Sequence, residues 1–201
     1  MQVDKQEFGV KFNMDEAKQK YCVISCAKDS SFSPFSSDNK PYDAVFYMEE
    51  YTRNDLVCAY EITIQSNCDA FDDNKKCIAL IGRMYGDTSR CTFIVNNELA
   101  ILVDDYLAIV DLDSLTLISK VNIISSGTGI ALYDFDNGLL VHGEIEIIKT
   151  DYAGNKEWSF SGRDIWVTMD GTDALRIVGN NIHLRDFYGD IYILNSHGEE
   201  I

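Results

Sequence analysis

Residues 129–160 read GIALYDFDNGLLVHGEIEIIKTDYAGNKEWSF. Four short apolar runs, Ile130–Phe135, Gly138–His142, Glu144–Thr150 and Lys156–Phe160, are parted by turn residues at Asp136-Asn137, around Gly143, and from Asp151 to Asn155. Runs of this length, rich in Ile, Leu, Val, Tyr and Trp, read as strands. Asn and Asp tolerate the left-handed conformation that a two-residue hairpin requires. The stretch therefore reads as a four-stranded antiparallel meander, with its Asp, Asn and Gly residues spent on turns.

The same plan lies on either side. The preceding unit has strands at Cys91–Val95, Glu98–Val103, Tyr106–Asp111 and Leu115–Ile123, turning at Asn96-Asn97, Asp104-Asp105 and Leu112 to Ser114. The following unit has strands at Leu175–Val178, Ile182–Asp186, Ile191–Asn195 and Glu199–Ile201. Unit starts are separated by roughly 40 residues, the period of propeller blades. Asp111 with Ser114, Asp151 with Gly154, and Asn195 with Gly198 each set a turn-capping side chain three positions before a small residue, as in a type I turn. The intervening SGRDIWVTMDGTD is expected to add a strand over Arg163–Met169, one face of which is less buried.

The segment Asp151 to Phe160, DYAGNKEWSF, resembles the turn-and-tryptophan segment of PQQ/WD-type β-propeller blades, where a glycine-bearing turn leads into a strand with Trp. NSHGEEI, Asn195 to Ile201, resembles the same segment cut short, with Ile201 near the position of Trp158. The resemblance covers residues 91–201 and implies a propeller-like fold. It carries over no cofactor site, because the blade motif is structural. The chain is also shorter than the six to eight blades of that family's enzymes require.

Residues 1–90 are less regular. Met14 to Lys20 suits a short helix capped by Asn13. Tyr21–Ala27, Ala44–Glu50, Leu56–Gln65 and Cys77–Tyr85 read as strands, although Met48 to Arg53 is also open to a helical turn. Lys28 to Pro41 and the Asn- and Asp-rich Ser66 to Lys76 read as loops, and Gly86 to Arg90 as a turn. One domain over 1–201 is expected: an irregular β-containing part at 1–90, which completes the repeat series or caps its end, and three four-stranded units at 91–201. The fold class is all-β, a small or partial β-propeller, with a β-sandwich or a curved β-meander as the alternative.

Seventeen basic residues against 33 acidic ones give a net charge of −16. Such a surface repels phosphate backbones and anionic lipid, so no nucleic acid and no membrane partner is expected. The N-terminus lacks the apolar core of a secretory signal, no run of about 18 apolar residues exists, and a cytoplasmic location follows as an expectation. Six cysteines, at 22, 26, 58, 68, 77 and 91, fit that location as buried thiols. A single C-x3-C pair without a second pair falls short of a zinc site.

Chemistry-bearing motifs are sparse. No G-x-S-x-G occurs, and Ser126 to Gly129 lacks the lysine of a phosphate-binding loop. Asp134 and Asp136 resemble the start of a calcium loop, but lack its ligand series and closing Glu. No catalytic residue, cofactor or metal is assigned. The leading expectation is a non-enzymatic acidic module that binds a basic protein, in concrete form a bacterial immunity-type inhibitor of a basic toxin. Contacts are expected from turn-tip acids and aromatics: Asp104, Asp105, Asp136, Tyr152, Tyr188 and Asp190. The alternative is a small-ligand or metal-binding protein or enzyme with a central pocket, for which His142, His183 and carboxylates would have to converge. A regulatory or assembly domain is a third reading.

Overall fold

The computed structural model describes residues 20–66, 74–83 and 88–201. The helix expected over Met14 to Lys20 falls almost wholly outside the described residues, as do Cys68, most of the loop after Ser66 and the beginning of the Gly86 to Arg90 turn.

Among the described residues all regular structure is strand, in four sheets. The first holds β1 (Tyr21–Asp29), β2 (Ala44–Tyr47), β3 (Cys58–Ser66) and β4 (Lys75–Gly82), in the order β1-β3-β4-β2 with β2 parallel to β4. The second is a meander of β5 (Thr92–Val95), β6 (Glu98–Val103), β7 (Tyr106–Asp111) and β8 (Thr116–Asn122). The third repeats it with β9 (Gly129–Phe135), β10 (Gly138–Gly143), β11 (Ile147–Thr150) and β12 (Lys156–Phe160). The fourth has three strands, β13 (Leu175–Val178), β14 (Asn181–Arg185) and β15 (Ile191–Leu194). The fold is all-β, a partial propeller of stacked sheets that are antiparallel apart from the β2–β4 pair.

The burial pattern explains the stacking. Strand side chains alternate between faces, yet β6 is buried continuously from Leu99 to Val103. Leu99, Ile101 and Val103 pack on the first sheet, while Ala100 and Leu102 pack on the third. In β10, Leu139 and Val141 face the second sheet and Leu140 faces the fourth. A sheet covered on both sides needs apolar residues at every position, hence the unbroken runs ELAILV and GLLVHG. The free face of the first sheet is closed by Phe32, Tyr42 and Tyr51 from its loops.

The hairpins form as read. Asn96, Asn97, Asp136 and Asn137 all have positive φ, as a two-residue hairpin requires. The three type I turns also form: Asp111 accepts from Ser114 N at 2.7 Å, Asp151 from Asn155 N at 2.8 Å, and Asn195 from His197 N at 2.9 Å. Each of these turns leans on the sheet before it. Asp113 receives Lys20 and the Tyr21 hydroxyl of β1. Tyr152 stacks on Phe93, ring centroids 6.5 Å apart, and Ser119 donates to the Ala153 carbonyl. Trp158 Nε1 donates to Ser196 O at 3.0 Å while its ring lies under Gly198.

Three expectations are corrected. The segment Arg163–Met169 is not a strand, because its backbone bonds two turns instead of a neighbouring strand: Trp166 N reaches Glu144 O and Phe187 N reaches Ile165 O. Glu199–Ile201 contributes a single bridge, Leu194 to Glu200, rather than a fourth strand. The strand expected from Glu144 begins at Ile147, since Gly143 N closes a turn onto Glu146 O at 2.9 Å.

Gly198 gives a test of the turn clamp. Its φ is +77°, and a Cβ there would stand 2.7 Å from the Trp158 ring, whereas Gly179, at φ +63°, has open space. Gly179→Ala should cost about 1 kcal/mol, the strain of a left-handed L-residue. Gly198→Ala should cost about 3 kcal/mol, because overlap with a rigid indole adds to that strain. Urea unfolding of both variants measures the difference, and equal losses would mean that the Trp158 contact carries no weight.

Candidate interaction surface

At one end of the stack three connections lie side by side. They are the β10–β11 turn, the linker between β12 and β13, and the β14–β15 turn. Trp166 N donates to Glu144 O at 2.7 Å and Phe187 N to Ile165 O at 3.0 Å, so the linker is fastened to a turn on either side. Trp166 roots it. The indole is fully buried, 5.9 Å from Phe160 and 5.3 Å from Tyr192 between ring centroids. Burying such a ring with two aromatic partners contributes several kcal/mol. The β10–β11 turn is held by Glu146, which accepts from both Ser125 N and Ser125 Oγ at 2.8 Å and lies 3.5 Å from Lys156 Nζ. Burial pushes the Glu146 carboxyl up, but the Ser125 hydrogen bonds and the Lys156 charge outweigh it and leave it below its ordinary range.

Above this rigid base large apolar side chains stand in solvent. Met169 is 75% exposed and Tyr188 78%, with Val167 and Ile145 more than one-third exposed. Carboxylates surround them. Asp170 pairs with Arg185 at 2.8 Å, Asp173 with Arg90 at 3.2 Å and Asp190 with Arg163 at 3.3 Å. Hydrogen bonds from Thr172, then Arg185, hold the Asp170 carboxyl well below the usual range. Among the described residues no basic side chain pairs with Glu144 or Asp164. An apolar centre with a charged rim is the anatomy of a protein-binding patch.

A cavity of about 330 Å³ opens beside the linker, with Arg90, Tyr133, His142, Thr168 and Asp173 in its wall. Arg90 Nη1 lies 3.3 Å from Tyr133 Oη and 3.2 Å from Asp173 Oδ1. His142 Nε2 is 2.9 Å from the Trp166 carbonyl, which can only accept, so Nε2 carries the proton. Its Nδ1 is buried without a partner. Burial holds the His142 pKa below its ordinary value, and the ring is neutral at pH 7. The other histidines lie elsewhere: His183 is paired with Arg176 on the outer face of the fourth sheet, and His197 sits in the Asn195–Glu199 turn. His142 and His183 therefore do not converge in the way that the alternative, a small-ligand or metal-binding protein or enzyme with a central pocket, requires. Among the described residues no group of three ligating side chains could hold a metal.

The six expected contact residues do not share one surface. Asp104 is buried; it accepts from Tyr60 Oη at 2.8 Å and from Arg83 N, and so anchors its turn to the first sheet. Asp105, half-buried, accepts from Asn122 at 2.7 Å. Tyr152 is half-buried between the second and third sheets and donates to Asp134 at 2.7 Å; burial and that carboxylate push its hydroxyl up to about 12. Asp136 is exposed on the β9–β10 turn, at the opposite end of the third sheet. Tyr188 and Asp190 alone belong to the surface described above. Sequence reasoning missed Ile145, Val167 and Met169. The alternation in DIWVTM imitated a strand, and the signal against it was Asp170-Gly171 directly after Met169.

No family model matches the chain, and no curated protein sequence matches it. Solved structures to which it is similar include BamB from Moraxella catarrhalis (14% identity, TM-score 0.44) and the β-propeller domain of Cps50 (Swd1) from Myceliophteria thermophila (12%, 0.48). Hsv2p from Kluyveromyces lactis is a third (13%, 0.41). Each alignment covers 72% of this chain, which spans 44%, 56% and 46% of those chains respectively. At these identities the likeness concerns the fold alone.

The neutral, buried His142 makes stability depend on pH. The unfolded chain takes up this proton near pH 6.5 and the folded chain only at lower pH. Stability is therefore complete above about 6.5 and falls as the pH drops, by up to about 1.4 kcal/mol per unit. Urea unfolding between pH 7.5 and 5.5 should show that slope, and His142→Gln should remove it.

Proposed function

We propose that this chain is a non-enzymatic module that binds a basic protein through the linker surface around Met169 and Tyr188. The observation that supports the reading is the set of exposed apolar side chains beside a rim of ion pairs and carboxylates, on a backbone fixed by Trp166. Exposed Met and Tyr supply contact area at the centre of an interface, and a net charge of −16 steers a cationic partner toward it. The most concrete form is an immunity-type inhibitor of a basic toxin, acting in the bacterial cytoplasm by covering the toxin rather than by chemistry.

A second reading rests on the cavity. Arg90, Tyr133 and the bare Nδ1 of His142 in its neighbourhood suit a small polar ligand. A shift of the Arg90 and His142 side-chain NMR signals on adding such a ligand would favour it.

Affinity capture from the native host, with wild type and with Met169→Ser/Tyr188→Ala, tests the first reading. Both positions are exposed, so the double variant should fold normally. Wild type should recover a basic protein at low salt and release it as salt rises, and the variant should lose at least tenfold in affinity, in line with about 1.4 kcal/mol or more from two interface anchors. Recovery of no protein at low salt, or equal binding by the variant, would overturn the proposal.

A further inference from the structure

The Sγ atoms of Cys26 and Cys91 lie 3.4 Å apart. Cys26 is half-buried on β1 of the first sheet, and Cys91 is 1% exposed immediately before β5 of the second. The contact joins residues 65 apart in the chain, so it arises from the packing of one sheet on another and not from local geometry. A disulfide needs its sulfurs about 2.05 Å apart, and closing the remaining gap asks for a displacement of about 1.4 Å shared between two side chains. The surroundings favour it. Cys26, only half-buried, packs against the cores on both sides of the second sheet, which holds its thiol near its neighbour while leaving it within reach of solvent.

We propose that Cys26 and Cys91 are a modification site, a reversible disulfide that staples the first sheet to the second. The oxidant is a small-molecule disulfide of the glutathione class. Cys26, the more exposed thiol, loses its proton and attacks one sulfur of that disulfide, forming a mixed disulfide and expelling one small thiolate. Cys91, deprotonated in turn, attacks Cys26 Sγ, forming the intramolecular bond and expelling the second small thiolate. The two protons released by the protein end on the two small thiols, and the two electrons lost by the cysteine pair reduce the oxidant. In a reducing compartment the pair remains as thiols, and in an oxidising one it closes. Because the bridge closes a long loop, it restricts the unfolded chain strongly. Its effect falls on the junction where the one irregular sheet meets the regular repeats.

The test treats the full-length protein with oxidised glutathione under native conditions, alkylates the remaining thiols and digests with trypsin. Cys22 and Cys26 share the peptide 21–28, so the Cys22→Ser protein serves as background. The expected product is peptide 21–28 linked to peptide 91–120, lost on reduction with dithiothreitol. Oxidation should also raise Tm by about 5 °C or more, reversibly. Cys26→Ser, at a half-buried position, should abolish both the linked peptide and the rise. Stable glutathione adducts without the linked peptide, a link from either cysteine to Cys68, or a Tm rise that survives in Cys26→Ser would each overturn the proposal.

Discussion

A four-stranded sheet that is apolar on both faces cannot remain in water, and the structure follows from that constraint. The second and third sheets each carry unbroken apolar strands, so each must be covered twice. Their neighbours provide the cover: the first and third sheets clasp the second, and the second and fourth clasp the third. The irregular N-terminal part finds its place in the same way. Its sheet has a parallel strand and a crossover, unlike a blade, but offers Ile62, Ile78 and Leu80 to the face of β6 and β7. On its other face its own loops pack Phe32, Tyr42 and Tyr51.

The turns complete the stacking. In three successive units the type I turn reaches back to the preceding sheet, ending on Tyr21, on Phe93 and on Trp158. The contact chemistry differs each time: an ion pair with a hydroxyl, a stacked aromatic pair, and an indole against a glycine. What is constant is the position, where the turn of one unit meets the strands of the last. The acidic and amide side chains of these turns are committed to their own backbone, so a count of turn carboxylates overstates the charge free to meet a partner. The exposed apolar side chains stand instead on connections, whose common base Trp166 anchors.

Much of the candidate site was illegible in the sequence for a physical reason. The alternation Ile165, Trp166, Val167 satisfies the period of a strand, and periodicity reports burial, not hydrogen bonding. Trp166 is indeed buried, but its backbone pairs with two turns, which leaves Val167 and Met169 outside. Asp104 failed in the opposite sense. It occupies a turn, where acids are ordinarily solvated, yet Tyr60, 44 residues earlier in the chain, turns it inward. Tyr188 and Asp190, on the β14–β15 turn, do stand exposed.

The sequence by itself determined most of the strands, the two-residue hairpins, the repeat of about 40 residues and the all-β class, because these rest on local alternation and on the left-handed tolerance of Asn, Asp and Gly. It also determined the charge, which is a sum over residues. Only the tertiary structure decided which turns are clamps and which are free, that Asp104 and Tyr152 look inward, and that Cys26 meets Cys91. Those facts depend on how one sheet lies against the next, and no window of neighbouring residues contains that relation.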